Sequence, residues 1–245
     1  MSAVTDDGFL NGRIRARQLR NGFRAGMDTI MLAASVPAKK GDDVLELGAG
    51  AGVASLCVAA RVPGCEVTGI EIEPEMVGLA NGNAKLNRLE KRVHFIEADV
   101  FKLPAVARKE FDHVFCNPPF HEAAARPALE RIRQRALQDQ GKLADWIAAG
   151  FKRVGGKGTF TAIVRADRLS TVMCALPSTG VNVFPLWPKP VEPAKRVIIQ
   201  VTKGSRAQSV ILPGLVLHDD DGKHTPEAEA ILRGERALAI EATHQ

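Results

Sequence analysis

Residues 43–62 read DVLELGAGAGVASLCVAARV. Val44, Leu45 and Leu47 make DVLEL (43–47) a short apolar strand. Three alternate glycines then force a turn, and VASLCVAARV (53–62) resumes with helical spacing. A strand, a glycine turn and a helix in immediate succession are the opening unit of a parallel α/β sheet. Glycines at 48, 50 and 52 let the backbone bend sharply and approach a ligand, with the N–H groups of the first helical turn exposed beside it.

The alternation continues toward the C-terminus. EVTGIEI (66–72) predicts a second strand, and PEMVGLANGNAKLN (74–87) a helix opened by Pro74. RVHFIEADV (92–100) and FDHVFC (111–116) predict two more strands. LADWIAAGFKRV (143–154) has helical spacing and is expected to stop at Gly155-Gly156. Strand GTFTAIV (158–164), helix ADRLSTVMCAL (166–176) and strands NVFPLW (182–187) and RVIIQVTK (196–203) follow. The connector WPKPVEPAK (187–195) has no room for a packed helix, so the last two strands are expected to pair antiparallel. The pattern predicts an α/β, doubly wound, mostly parallel sheet with helices on both faces. Residues 121–141 fit either a helix or a loop, and TPEAEAILRG (225–234) reads as one tail helix.

A chain of 245 residues with 45% apolar and 25% charged residues has the composition of a globular protein with a substantial core. No run approaches the roughly 18 apolar residues of a membrane span, and the N-terminus has no signal-peptide pattern, so a cytoplasmic protein with no membrane partner is expected. Cys57, Cys65, Cys116 and Cys174 show no C-x-x-C spacing and read as reduced core thiols. No clustered Cys and His suggest a metal site. Trp146 and Trp187 read as packing residues. The net charge of +5 is concentrated at the start, where residues 1–40 hold seven Lys or Arg against three Asp. Two readings stay open for this basic arm: a phosphate-contacting surface, or a solvated arginine-rich hairpin without a partner.

Within the glycine turn the pattern is G-x-G-x-G, with Val53 where a dinucleotide fingerprint wants a third small residue. Glu71 closes the second strand and Asp99 the third. At strand C-termini such carboxylates line the ligand crevice, Glu71 placed to accept from ribose hydroxyls and Asp99 from an adenine amine. The fourth strand ends in Asn117-Pro118-Pro119-Phe120. A planar NH2 group is a poor nucleophile because its lone pair is delocalised. Two acceptors on its protons draw that pair out and aim it. Asn117 offers a side-chain carbonyl and Pro118 a backbone carbonyl fixed by its ring. Phe120 offers a face on which a flipped base can stack. No metal is needed, because positioning and electrostatics suffice.

ELGAGAG, Glu71, Asp99 and NPPF together resemble the class I S-adenosylmethionine-dependent methyltransferases that act on planar nitrogens. GFLNGRIRARQLRNGFRAGMDTIMLAAS (8–35), NPPFH, KRVIIQVTKGSR (195–206) and LVLHDDDGKHTPEAEAILRG (215–234) resemble the bacterial tRNA (valine) adenine-N6 methyltransferase family. The family usually has proline where this chain has Leu19 and tyrosine where it has Phe23. The resemblance implies a Rossmann-like sheet of seven strands with an antiparallel last strand. It implies S-adenosylmethionine as cofactor, held by Glu46, Gly48, Ala49, Gly50, Gly52, Glu71, Ile72, Asp99, Val100 and Asn117, with Asp28 in a roof over it. Asn117, Pro118, Pro119 and Phe120 would hold the target amine. RNA, as tRNA, would be the partner, contacted by Arg13, Arg15, Arg17, Arg24, Arg131 and Arg133. Residues 1–40 would form a basic extension packed on a methyltransferase domain of residues 41–245. Three alternatives remain from the residues alone: a guanine-N2 methyltransferase of ribosomal RNA, a protein glutamine-N5 methyltransferase, or a module that binds S-adenosylmethionine or RNA without catalysis.

Overall fold

The computed structural model describes residues 4–21, 24–118 and 142–241. Two strands, β1 (Val4–Phe9) and β2 (Ile14–Leu19), pair antiparallel as a hairpin, and α1 (Met27–Ser35) follows. The main sheet is built from β3 (Asp43–Leu47), β4 (Glu66–Glu71), β5 (Val93–Glu97), β6 (Phe111–Cys116), β7 (Val154–Arg165), β8 (Val181–Trp187) and β9 (Arg196–Thr202). Their spatial order is β5-β4-β3-β6-β7-β9-β8. Every pairing among β3 to β7 is parallel, whereas β9 is antiparallel to both β7 and β8. The short β8–β9 connector dictates this. It returns the chain directly, and β9 slots between β7 and β8.

The central strands read as almost unbroken apolar runs because both faces are covered. Side chains alternate between two cores. On β6, Val114 and Cys116 face one side while Phe115 faces the other, and on β9 Ile199 and Ile198 divide likewise. One core lies under α1, α2 (Val53–Arg61), α3 (Pro74–Leu86), the tail helix α6 (Pro226–Leu232) and the hairpin. The other lies under the helix over residues 142–151, here α4, and under α5 (Leu169–Cys174).

Three expectations need correction. The sheet has nine strands, not seven, because two-residue strands β10 (Val210–Ile211) and β11 (Leu215–Val216) add to the outer edge of β8. Pro185 in β8 cannot donate a ladder hydrogen bond, and Gly214 (φ +83°) packs over its carbonyl, so the added edge is split in two. Gly155-Gly156 does not stop a helix. The helix has already ended, and the glycines lie inside β7 at a bulge, where pairing with β6 jumps from Phe111↔Val154 to His113↔Thr159. Finally, Cys174 is exposed, while the other three cysteines are buried. No helix among the described residues is long and apolar enough to cross a membrane.

Candidate functional site

The glycine turn leaves the sheet at the end of β3. Gly48, Gly50 and Gly52 all have positive φ (73°, 54° and 81°), a conformation that strains any residue with a Cβ. The N–H groups of Gly48 and Ala49 donate to the Ile70 carbonyl at 2.8 and 2.9 Å, which folds the loop back over the end of β4. Phe95 of β5 fills the slot beneath. A Cβ at Gly52 or at Gly69 would lie 2.4 Å from its ring, so both positions must be bare. Gly50 differs, because its missing Cβ faces open space with only Met76 Cε at 3.9 Å.

Two glutamates support the loop. Glu71, at the end of β4 and 9% exposed, accepts from the N–H of Gly50 (2.8 Å), Ile72 (2.8 Å) and Glu73 (3.0 Å). It therefore fixes loop and strand end together while keeping acceptor capacity toward the crevice. Glu46 lies inside β3 and is buried. It accepts from the Ser55 N–H at 3.0 Å and the Ser55 hydroxyl at 2.5 Å, tying the strand to the first turn of α2. Burial, with Glu71 as a like-charged neighbour, pushes its carboxyl up to about 8 against the opposing pull of the Ser55 bonds.

Next along the strand ends lie two acids flanked by apolar surface. Asp99 follows β5 and accepts from the Phe101 N–H at 2.9 Å, with Val100 buried between them. Ile72 and Phe101 are 58% and 52% exposed. Ile72 directly follows Glu71, and Phe101 stands two residues beyond Asp99. Two bare apolar side chains beside two carboxylates and a glycine loop with an open face fit a cofactor with a flat base and a ribose.

On the other side of β3 stands β6. Leu47 pairs with Cys116, so Gly48 and Asn117 step off the sheet side by side, at the interstrand spacing of about 4.8 Å. Asn117 is half-buried, Pro118 is buried, and the Asn117 side chain has no hydrogen-bond partner among the described residues. Trp146 of α4 closes the floor here. Its ring sits 3.0 Å from where a Gly48 Cβ would be and lies edge-on to Phe101 at 6.0 Å. Its buried indole N–H has no conventional partner and faces the Cys116 thiol, a weak acceptor whose own ionisation burial pushes well up. Trp146 thus packs as expected, but against the site. Phe101 and Trp146 carry no motif that singles them out in the sequence. Phe101's place after Asp99 and Val100 was the available signal.

The remaining expected residues scatter. Asp28 lies on α1 and is paired with Arg196 of β9 at 2.7 Å. Arg13 donates to the carbonyls of Gly234 (2.9 Å) and Ala60 (3.5 Å). Ala60 is near the C-terminus of α2, about 12 Å down that helix from the glycine loop at 1.5 Å per residue. Arg15 pairs with Asp6, and Arg24 with Asp7. Arg17 is exposed, and Asp6 lies opposite it across the strands. Pro119, Phe120, Arg131, Arg133 and the variant position Phe23 lie outside the described residues.

The profile described as "Methyltransferase domain" matches residues 38–147. The tRNA1(Val) (adenine(37)-N6)-methyltransferase of Shewanella amazonensis is 36% identical over 122 residues, 50% of this chain and 51% of that one. That of Yersinia enterocolitica is 33% identical over 106 residues, 43% of this chain and 42% of that one. The chain thus spans about half the length of these relatives or less. A longer match, 25% identical, covers 85% of this chain and 90% of the enzyme of the same name from Shewanella sp. MR-4. Among crystal structures, a predicted O-methyltransferase of Agrobacterium tumefaciens shares 27% identity and a TM-score of 0.74 over 88% of this chain and 100% of that one. TrmN from Thermus thermophilus, at 20% identity over 71% of this chain and 48% of that one, shares the fold with a TM-score of 0.51. Residues 38–147 match the methyltransferase-domain profile, the fold is that of the class I, Rossmann-like methyltransferases, and the chain resembles in sequence the S-adenosylmethionine-dependent tRNA1(Val) adenine-N6 methyltransferases.

Proposed function

We propose that the protein transfers a methyl group to a planar exocyclic amine, adenine N6 in tRNA. The observation that carries this reading is the register of β3 with β6, which sets the Asn117 amide, without a hydrogen-bond partner among the described residues, and the Pro118 carbonyl beside the first residue of the glycine loop. S-adenosylmethionine, when bound, supplies the methyl group. Gly48, Ala49, Gly50 and Gly52 would bring the backbone against it, with Glu46 bracing the loop from beneath. Glu71 would accept from its ribose and Asp99 from its adenine, with Ile72 and Phe101 covering the base and Val100 packed behind them. Asp28, tied to Arg196, would brace the roof. Asn117 Oδ1 and the Pro118 carbonyl would accept the two protons of the target amine, and the proton released by the product leaves to water. Two acceptors match an NH2 group, which has two protons, better than a hydroxyl, which has one. Pro119 and Phe120 would complete the grip on the base.

The names borne by the sequence relatives support tRNA as the substrate, as does the basic arm of residues 1–40 on a domain of residues 41–245. Labelled S-adenosylmethionine incubated with total small RNA, followed by nucleoside analysis, tests the reading. Labelled N6-methyladenosine that disappears in Asn117→Ala, with cofactor affinity intact in that variant, is the expected result. Label in guanosine or in protein glutamine would replace the substrate. Transfer at the parent rate by Asn117→Ala would refute the role of the amide.

A further inference from the structure

The hairpin is attached to the rest of the molecule in an unusual way. One edge of β2 pairs with β1; the other runs along α3. There the backbone of Arg17 and Arg15 is gripped by two asparagine side chains. Asn83 Oδ1 accepts from the Arg17 N–H at 2.8 Å, and Asn83 Nδ2 donates to the Arg17 carbonyl at 3.0 Å. Asn87 repeats the pattern one helical turn later, accepting from the Arg15 N–H at 2.9 Å and donating to the Arg15 carbonyl at 2.7 Å. The spacing explains the choice of positions. Four residues of helix rise about 6 Å, and two residues of strand about 6.7 Å, so two amides at i and i+4 act as a substitute neighbouring strand.

Asn83 does one thing more. Its Nδ2 also donates to the carbonyl of Ala51, at 2.9 Å, inside the glycine loop. The residue is 1% exposed, and both of its N–H bonds and its carbonyl are used. The loop is therefore held from two sides, by Glu71 at the Gly50 N–H and by Asn83 at the Ala51 carbonyl. The second of these holds the hairpin as well. Asn87 makes no side-chain hydrogen bond to the loop; its remaining bond goes to the Asn83 carbonyl at 2.7 Å.

We propose that Asn83 is a positioning residue that couples the N-terminal hairpin to the cofactor loop, so that cofactor binding steadies β2 and an ordered β2 steadies the loop. By linkage, the effect runs equally in both directions. The proposal rests on the reading of the loop as the S-adenosylmethionine site. The test is amide hydrogen exchange on the full chain with and without S-adenosylhomocysteine, the demethylated cofactor. In the parent, saturating ligand is expected to slow exchange at the Arg17 amide by about tenfold or more. In Asn83→Ala that ligand dependence falls below about twofold, and ligand affinity drops about tenfold. Asn87→Ala is the control. It speeds hairpin exchange but leaves affinity within about twofold and keeps the ligand dependence, which a merely structural loss would not separate. An Arg17 amide indifferent to bound ligand in the parent overturns the coupling and needs no variant to fold. Parent-like affinity in Asn83→Ala overturns it as well. A parent that does not bind the ligand at all overturns the loop assignment together with the coupling.

Discussion

Two glycines of one loop are expected to fail in different ways when given a methyl group. At Gly50, alanine meets nothing closer than Met76 Cε at 3.9 Å, so the cost is backbone strain alone at φ +54°. That is about 1–2 kcal/mol, or roughly 2–8 °C in Tm for a chain of this length. At Gly52 the same strain applies at φ +81°, and the new Cβ lands 2.4 Å from Phe95 Cζ. The ring has no retreat, because Gly69 is already bare to admit it from the opposite side. Overpacking of this kind adds about 1–3 kcal/mol, giving about 2–5 kcal/mol in total and a Tm loss of roughly 4–20 °C. Thermal unfolding with and without saturating S-adenosylhomocysteine separates the two. Gly50→Ala should unfold only about 2–8 °C below the parent but show no rise with ligand, because its methyl stands in the space where the ligand meets the loop. Gly52→Ala should be destabilised in the absence of any ligand. A Gly50→Ala protein that keeps the parent's ligand-induced rise would refute the close approach at that residue. An unchanged Tm for Gly52→Ala would refute the wedged ring.

Glu46 has a raised carboxyl in the fold, so its contribution to stability is full below the ordinary carboxylate range and is lost as pH rises toward about 8. Glu46→Gln should therefore gain on the parent between pH 5 and pH 8 in urea unfolding; parallel pH profiles would refute the assignment. Arg13→Ala removes hydrogen bonds to Gly234 and Ala60, and is expected to cost about 1 kcal/mol while leaving RNA affinity alone. Arg17→Ala should instead weaken RNA binding and flatten its salt dependence by about one charge's worth of slope, measured by filter binding across a salt series. Trp146 lies over Gly48, so S-adenosylhomocysteine should change the intrinsic fluorescence of the parent, and the change should vanish in Trp146→Phe but persist in Trp187→Phe.

The sequence exposed the cofactor half of the fold because each signal there is local. A positive-φ glycine, an acid at a strand end and Asn-Pro after a strand are each dictated within a few residues. The antiparallel β9 was legible for the same reason, since a connector's length and prolines leave one geometry. What escaped depended on partners far along the chain. Gly155-Gly156 looks like a helix stop until β6 is present to demand a bulge. The charge of Arg13 suggests a phosphate, and nothing near it in the sequence points to its hydrogen bond with the Gly234 carbonyl. Trp146 was legible as packing, but not as packing against Gly48. Asn83 and Asn87 sit in plain view at i and i+4, yet their meaning requires the edge of β2 to be laid beside them.

That edge has a consequence for how the protein can change. The asparagines of α3 grasp only peptide groups of β2, which every residue except proline supplies alike. The side chains at 15 and 17 point away from the anchorage and are exposed. Arg17 can be exchanged without loosening the hairpin, and Arg15 at the cost of one exposed ion pair to Asp6, while Ile14 and Ala16, buried on the opposite face, cannot. The hairpin is in this sense a mount with replaceable tips: a lineage can retune what its outer face touches one substitution at a time, with the catalytic core left as it was.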